Sequence, residues 1–389
     1  MHFAILPFFA GIALAARPWL YAPDTGAEDR YAELGIEKGS LPPLDEIHCL
    51  NDFEWAARNV LNSSIYAAFS GGAGTEGSYR MNQEGFQAYR FRPRTMVDIL
   101  SVNETFTTQM LGYNFSMPFF ITSCGGGGYI HEDGELNLIK GAHDQGILYV
   151  ASMSASKSQE EIAGAAADGQ VYFQQFYTRG WDDDKVKSYL DSVKKYGAKA
   201  IALTVDSAGD GDRWRAARYG AGSTDSDATY ITWDYYDKLK SMTDLPIILK
   251  GITTVDDAKK AIQHGVDAIY LSNHGGRQLD GAPSGFETAL EMYALDCFQE
   301  APEVFQQIEV YADGGVRNAG DVLKLLALGV RGVGVGRSFM YSMVYGTEGV
   351  IKAAEILKHE LTINAQNLGL SKLDDIDATY LQKRMFPNL

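Results

Sequence analysis

From residue 118 onward this 389-residue chain repeats one pattern: a short apolar run, then an amphipathic helical stretch that closes near a glycine. The runs are PFFITS (118–123), LYVAS (148–152), VYFQQF (171–176), AKAIALTV (198–205), PIILKG (246–251), AIYLSN (268–273), EVYADGG (309–315) and RGVGVGR (331–337). Small and β-branched residues in nearly unbroken apolar runs are what strands covered on both faces require. Between them EEIAGAAADG, DDKVKSYLDSVKKYG, VDDAKKAIQHG and AGDVLKLLALG carry the helical period, and each ends near a Gly able to take the left-handed cap. Strand and helix alternating eight times predicts an α/β fold, a (β/α)8 TIM barrel. With 46% apolar residues the chain can bury so large a core, and one domain over residues 46–389 is expected. DEIHCLNDFEWAARNVL and the segment to Phe69 read as a helical N-terminal extension, followed by the Gly-rich turn SGGAGTEG.

Residues 1–16, MHFAILPFFAGIALAA, have the length and small-residue ending of a cleaved signal peptide, and residues 17–45 read as an arm or linker. A secreted or secretory-pathway protein is therefore expected, and the sequons at Asn62, Asn103 and Asn114 fit a glycoprotein. The net charge of -16 and pI near 4.9 argue against nucleic acid or an anionic membrane surface as partner. Cys49, Cys124 and Cys297 are too few for a disulfide framework, and the scattered His residues suggest no metal site.

A barrel of this kind builds its active site from the loops leaving the C-terminal ends of its strands. The sixth run opens into SNHGGRQLD (272–280), which brings an imidazole, His274, within three positions of a guanidinium, Arg277. The seventh and eighth open into YADGGVRNAG and GVGVGR, where Gly315 and Gly336 admit close backbone approach and Arg317 and Arg337 supply charged donors. That pair of turns, in the loops where barrels habitually bind phosphate, predicts a phosphate site. Lys250 ends the fifth run and Asp206 the fourth; a carboxylate there can orient the imidazole of His274 and favour its taking a proton.

These segments, together with GFQAYRFRPRTMVDI (85–99), HEDGE and KAIALTVD, resemble the FMN-dependent 2-hydroxy acid oxidase and dehydrogenase family over nearly the whole chain. The resemblance implies FMN as cofactor, assembly as a tetramer, and a two-electron oxidation of a 2-hydroxy acid or related carboxylate. It assigns His274 as the base taking the hydroxyl proton while hydride moves to the flavin, Asp206 as its partner, and Arg277 with Arg213 as carboxylate holders. Lys250 would lie beside the flavin and stabilise the anion formed on reduction. Thr122, Ser152, Gln174, Thr204 and Ser272 would line the ring, with Asp313, Gly315, Arg317, Gly336 and Arg337 along the ribityl and phosphate. Dioxygen is the simplest electron acceptor.

The chain departs from the family at several places. Ala68 falls where the family carries a substrate-binding Tyr, with Tyr66 two residues earlier. Ser154 stands at a position often Trp, and Phe176 falls where a Tyr hydroxyl is expected, beside Tyr177. The CGGGG run from Cys124 replaces a Pro-Thr-Ala run, so that side of the flavin is expected to be more open or differently packed. Each lost hydrogen-bond donor should cost about 1 to 3 kcal/mol, so the sequence predicts weak turnover of small acids and a larger or atypical substrate. A flavoenzyme of specialised metabolism is the alternative, and a silent flavin-binding protein a third reading, disfavoured by the retention of His274, Asp206 and Arg277 together.

Overall fold

The computed structural model describes residues 24–222, 231–293 and 301–383. The leader-like segment 1–16, Cys297 and part of the acidic 207–230 loop lie outside the described residues. In the unit Met1–Glu37 the described residues hold the helix Ala27–Glu33, inside the stretch read as an arm.

The barrel lies in Lys38–Leu389. Its strands, all parallel, are β1 (Phe119–Ile121), β2 (Tyr149–Ala151), β3 (Tyr172–Phe176), β4 (Ile201–Thr204), β5 (Ile247–Ile252), β6 (Ala268–Leu271), β7 (Glu309–Ala312) and β8 (Gly332–Val335). They pair in chain order and β8 closes on β1, Val333 opposite Phe119 and Val335 opposite Ile121. The sheet therefore has no free edge. Every strand residue of β1, β2, β3, β4, β6 and β8 is buried, which explains the unbroken apolar runs.

Side chains inside the barrel are layered. Phe120, Val150, Phe173, Ala202, Ile248, Tyr270 and Tyr311 form a single apolar cluster that plugs the interior. Two residues further along each strand the pleat turns the next side chain inward, and these are Thr122, Ser152, Gln175, Thr204, Lys250, Ser272 and Asp313, all buried. A polar ring thus sits on an apolar plug at the C-terminal end. Buried polar groups are costly unless hydrogen-bonded, and the ring is cross-linked: Gln175 Nε2 donates to Thr204 Oγ1 (3.0 Å), Lys250 Nζ to Ser272 Oγ (3.1 Å) and Thr122 Oγ1 to Asp313 Oδ2 (3.3 Å).

The helical extension (Leu50–Val60, Ser63–Ser70, Gly77–Gln87) folds so that its Gly-rich turn meets the loop after β6. Ala73 N donates to Gly276 O (2.8 Å), while Thr75 N and Ser78 N donate to the Asp280 carboxylate at 2.7 and 3.1 Å. Among the described residues no helix is long and apolar enough to cross a membrane.

Candidate active site

A cavity of about 420 Å³ opens above the polar ring, a size typical of small-molecule sites. Lys250, Arg213, Arg277, Arg317 and Arg337 all line it. In a chain of net charge -16, so many cations around one cavity create a local positive field that attracts anions.

One end is a cradle. Gly315 carries a positive φ of 80°, and a Cβ there would stand 1.8 Å from Asn82 O, so only glycine lets this turn pack against the helix Gly77–Gln87. Arg317 Nη2 donates to the hydroxyl of Tyr79 (3.2 Å), and the Arg337 guanidinium lies 4.0 Å from the centre of the same ring. Tyr79 therefore spaces the two guanidinium groups, a role no local motif signalled. Arg337 Nη2 donates to Gly275 O, while its Nη1 is buried with no hydrogen-bond partner. An orphaned buried donor beside a second guanidinium and glycine backbone fits a phosphate dianion. Asp313 Oδ1, also buried without a partner, can accept from a polyol hydroxyl.

The middle belongs to Lys250. Burial alone would lower its pKa, but the carboxylates of Asp313, 3.6 Å away, and of Asp206 outweigh that and hold it above the usual lysine value. The ammonium is therefore charged. Thr122, Ser152 and Thr204 line the same wall. Ser272 does not reach the cavity surface; its Oγ accepts from Lys250 Nζ and from His274 N, each at 3.1 Å, and so positions both.

At the other end His274 holds a left-handed backbone (φ 59°), rare for a non-glycine residue and a mark of functional sites. Its Nδ1 lies 2.8 Å from Asp206 Oδ1, and Asp206 stands behind the ring rather than on the cavity wall. Tyr177 Oη is 3.4 Å from His274 Nε2. Arg277 Nη1 donates to Ala68 O (3.0 Å) and Gly71 O (2.9 Å); Arg213 Nε donates to Arg277 O (3.1 Å) and its Nη2 to Gln278 Oε1 (2.8 Å). Arg213 is thus locked to the loop that carries Arg277, and Arg277 to the end of the helix Ser63–Ser70, and both line the cavity with His274.

Three expected residues lie elsewhere. Gln174 faces outward and its Nε2 donates to Ala151 O (3.2 Å) and Gln175 O (3.0 Å); Gln175 is the glutamine on the cavity wall. Phe176, one pleat from the interior, stacks on Tyr189 at 4.9 Å. The phenol expected there is not lost, because Tyr177 occupies the inward position. Tyr66 bonds Glu54 Oε1 (3.2 Å) and packs on Tyr341, because two residues along a helix turn the side chain through about 200°; Ala68 and Phe69 face the cavity instead. The CGGGG segment is packed, not open: Gly126 N donates to Ser154 O (3.1 Å), and a Cβ on Gly125 would meet that same oxygen at 2.5 Å. Burial pushes the Cys124 thiol up to about 11.

A closed parallel barrel with a phosphate cradle, a buried lysine and an Asp-oriented histidine facing paired arginines defines a flavin-mononucleotide oxidoreductase. The chain belongs to the FMN-dependent dehydrogenase family, whose pattern matches residues 57–227 and 222–383. It is 35% identical to L-lactate dehydrogenase (cytochrome) of Saccharomyces cerevisiae over 92% of this chain and 64% of that protein. It is 31% identical to human 2-hydroxyacid oxidase 1 over 87% of this chain and 98% of that protein. The chain thus spans under two thirds of the cytochrome-linked relative. A flavocytochrome b2 variant with pyruvate bound superposes with a TM-score of 0.83 at 34% identity, covering 93% of this chain and 92% of that one. FMN is the cofactor, and the orphaned Arg337 donor and glycine cradle fit it.

Proposed function

We infer that this chain oxidises a 2-hydroxy acid to the 2-oxo acid, passing the electrons to dioxygen. The observation that carries this reading is the His274–Asp206 pair sharing one cavity with Arg213, Arg277 and the cofactor cradle. Bound FMN supplies the two-electron acceptor; the rest is the work of side chains. Arg277 and Arg213 bind the carboxylate and fix which face of the carbinol carbon meets the cofactor. Asp206 Oδ1 accepts from Nδ1–H, which leaves Nε2 unprotonated as the atom that takes the hydroxyl proton. Tyr177 Oη, beside Nε2, hydrogen-bonds the substrate oxygen. Lys250 offsets negative charge developing on the cofactor.

Dioxygen as acceptor is supported by the likeness to human 2-hydroxyacid oxidase 1 over nearly all of that protein's length; the yeast relative named for cytochrome is the competing precedent. A secretory location rests on residues 1–16 and the sequons, and a tetramer on the family resemblance. Anaerobic titration with L-2-hydroxy acids should bleach the flavin band of the purified holoprotein, and readmitted oxygen should restore it with release of hydrogen peroxide. Bound FMN that no 2-hydroxy acid bleaches would overturn the reaction; reoxidation only by ferricytochrome c would overturn the acceptor.

A further inference from the structure

The hydrogen bond between Asp206 and His274 spans a partition between two cavities. His274 lines the active-site cavity and Asp206 does not; Asp206 lines a second cavity of about 380 Å³, and His274 does not. Among the described residues the two cavities share no wall residue. The second is lined from the ends of β4, β5 and β6 and from the helix Trp233–Lys240, and a volume of that size holds a small molecule.

The reaction uses one oxygen of the Asp206 carboxylate. Oδ1 lies 2.8 Å from His274 Nδ1, while Oδ2 is buried with no hydrogen-bond partner. The side chain is 9% exposed, and a buried carboxylate oxygen without a donor is costly. The neighbouring strand leaves that carboxylate room: Gly251 takes a φ of 115°, and a Cβ there would stand 2.6 Å from Asp206 Cβ. Leu249, Ile252, Leu279 and Trp233 make much of the wall apolar. Asp257, the other carboxylate in the wall, is already engaged, its Oδ2 accepting from Thr254 Oγ1 (3.0 Å) and its Oδ1 lying 3.7 Å from Lys260 Nζ. Among the described residues no Lys, Arg or His lines this cavity. An unsatisfied carboxylate oxygen in an apolar wall, with no cation beside it there, selects a protonated amine on an apolar body.

We propose that this cavity is a second, inhibitory site for a small organic cation, a primary ammonium with an apolar body whose N–H donates to Asp206 Oδ2 from behind the catalytic pair. The inhibition rests on the reading of His274 as the base. A positive charge one carboxylate away from the imidazole opposes the imidazolium that forms when His274 takes the hydroxyl proton. Occupancy therefore slows flavin reduction and leaves the substrate carboxylate on Arg213 and Arg277.

Isothermal titration calorimetry of the FMN-loaded protein with benzylammonium, and with benzyl alcohol as its neutral isostere, reads the site without turnover. Benzylammonium should bind about tenfold more tightly than benzyl alcohol, and should still bind when the active site is filled with a 2-oxo acid. Binding should weaken by about tenfold or more in Ala282→Phe, which fills the cavity, and in Leu279→Arg, which places a cation at a wall position 70% exposed and so tolerant of change. In stopped flow, saturating benzylammonium should slow reduction of the wild-type flavin by an L-2-hydroxy acid about 10- to 100-fold, with little change in the acid's own dissociation constant. Ala282→Phe should be reduced at the same rate with and without the amine. No binding, the cavity then holding only water, would overturn the site, as would binding that the 2-oxo acid displaces or that both variants leave untouched. Binding with an unchanged reduction rate would overturn the inhibition. Failure of every 2-hydroxy acid to reduce the flavin would overturn the reaction and the inhibition with it, and calorimetry then decides the cation site alone.

Discussion

Asp206 Oδ1 and His274 Nδ1 stand 2.8 Å apart, yet they arrive from different strands, and the histidine reaches its place through a left-handed backbone. The carboxylate lies behind the ring and the cavity in front of it. One bond therefore sets both tautomer and direction. Asp206→Asn should leave FMN content intact and lower kcat by about 10²- to 10⁴-fold, because an amide can present its NH₂ to Nδ1 and stabilise the wrong tautomer. Stopped-flow flavin reduction checks this; a variant reduced at the wild-type rate would remove Asp206 from the mechanism.

Tyr177 and Phe176 are adjacent in sequence but opposite in consequence. Tyr177→Phe should raise the barrier by about 1 kcal/mol, about fivefold in kcat/KM, without altering thermal stability. Phe176→Ala, which empties the stack on Tyr189, should cost about 3 to 5 kcal/mol of stability. Steady-state kinetics beside thermal melts of the two variants would show whether these roles are separable.

Arg337 has an orphaned Nη1 that an anion in the cradle would satisfy. Arg337→Met should purify with little FMN, and added FMN should bind more weakly by about two orders of magnitude, the loss expected from a buried charge-assisted pair. Fluorescence quenching of free FMN measures the constant directly.

Cys124, although it borders the cavity, is held protonated by burial, with its pKa near 11. At pH 8 about one molecule in a thousand carries the thiolate, the only reactive form. Iodoacetamide should leave Cys124 unmodified over an hour at pH 8 while the protein stays folded, as read by peptide mass spectrometry; rapid labelling would mark it as a reactive thiol.

Asp321, which accepts from Arg317 N at 3.0 Å, is buried, and burial pushes its carboxyl up from 3.8 to about 6. The folded chain thus keeps a proton that the unfolded chain releases. Its stabilisation is complete below about pH 4 and disappears as pH rises through 6, a span of about 3 kcal/mol. Asp321→Asn should therefore gain in Tm over the wild type steadily between pH 4 and 7. A constant difference across that range would show that the carboxyl does not titrate there.

The sequence by itself determined the number and order of strands, the barrel they close into, and the loops that carry His274, Arg277, Arg317 and Arg337, because periodicity and glycine turns are local properties. Which of two neighbours enters the site was decided by register. A strand turns its side chain over at every residue, and a helix rotates it by about 100°, so a displacement of one residue exchanges Gln174 for Gln175 and Phe176 for Tyr177, and one of two residues exchanges Tyr66 for Ala68. Only the pairing of β3 between β2 and β4, and the packing of Tyr66 against Tyr341, settle those choices. Tyr79 between the two arginines depends likewise on contacts between residues far apart in the chain, and leaves no local signature.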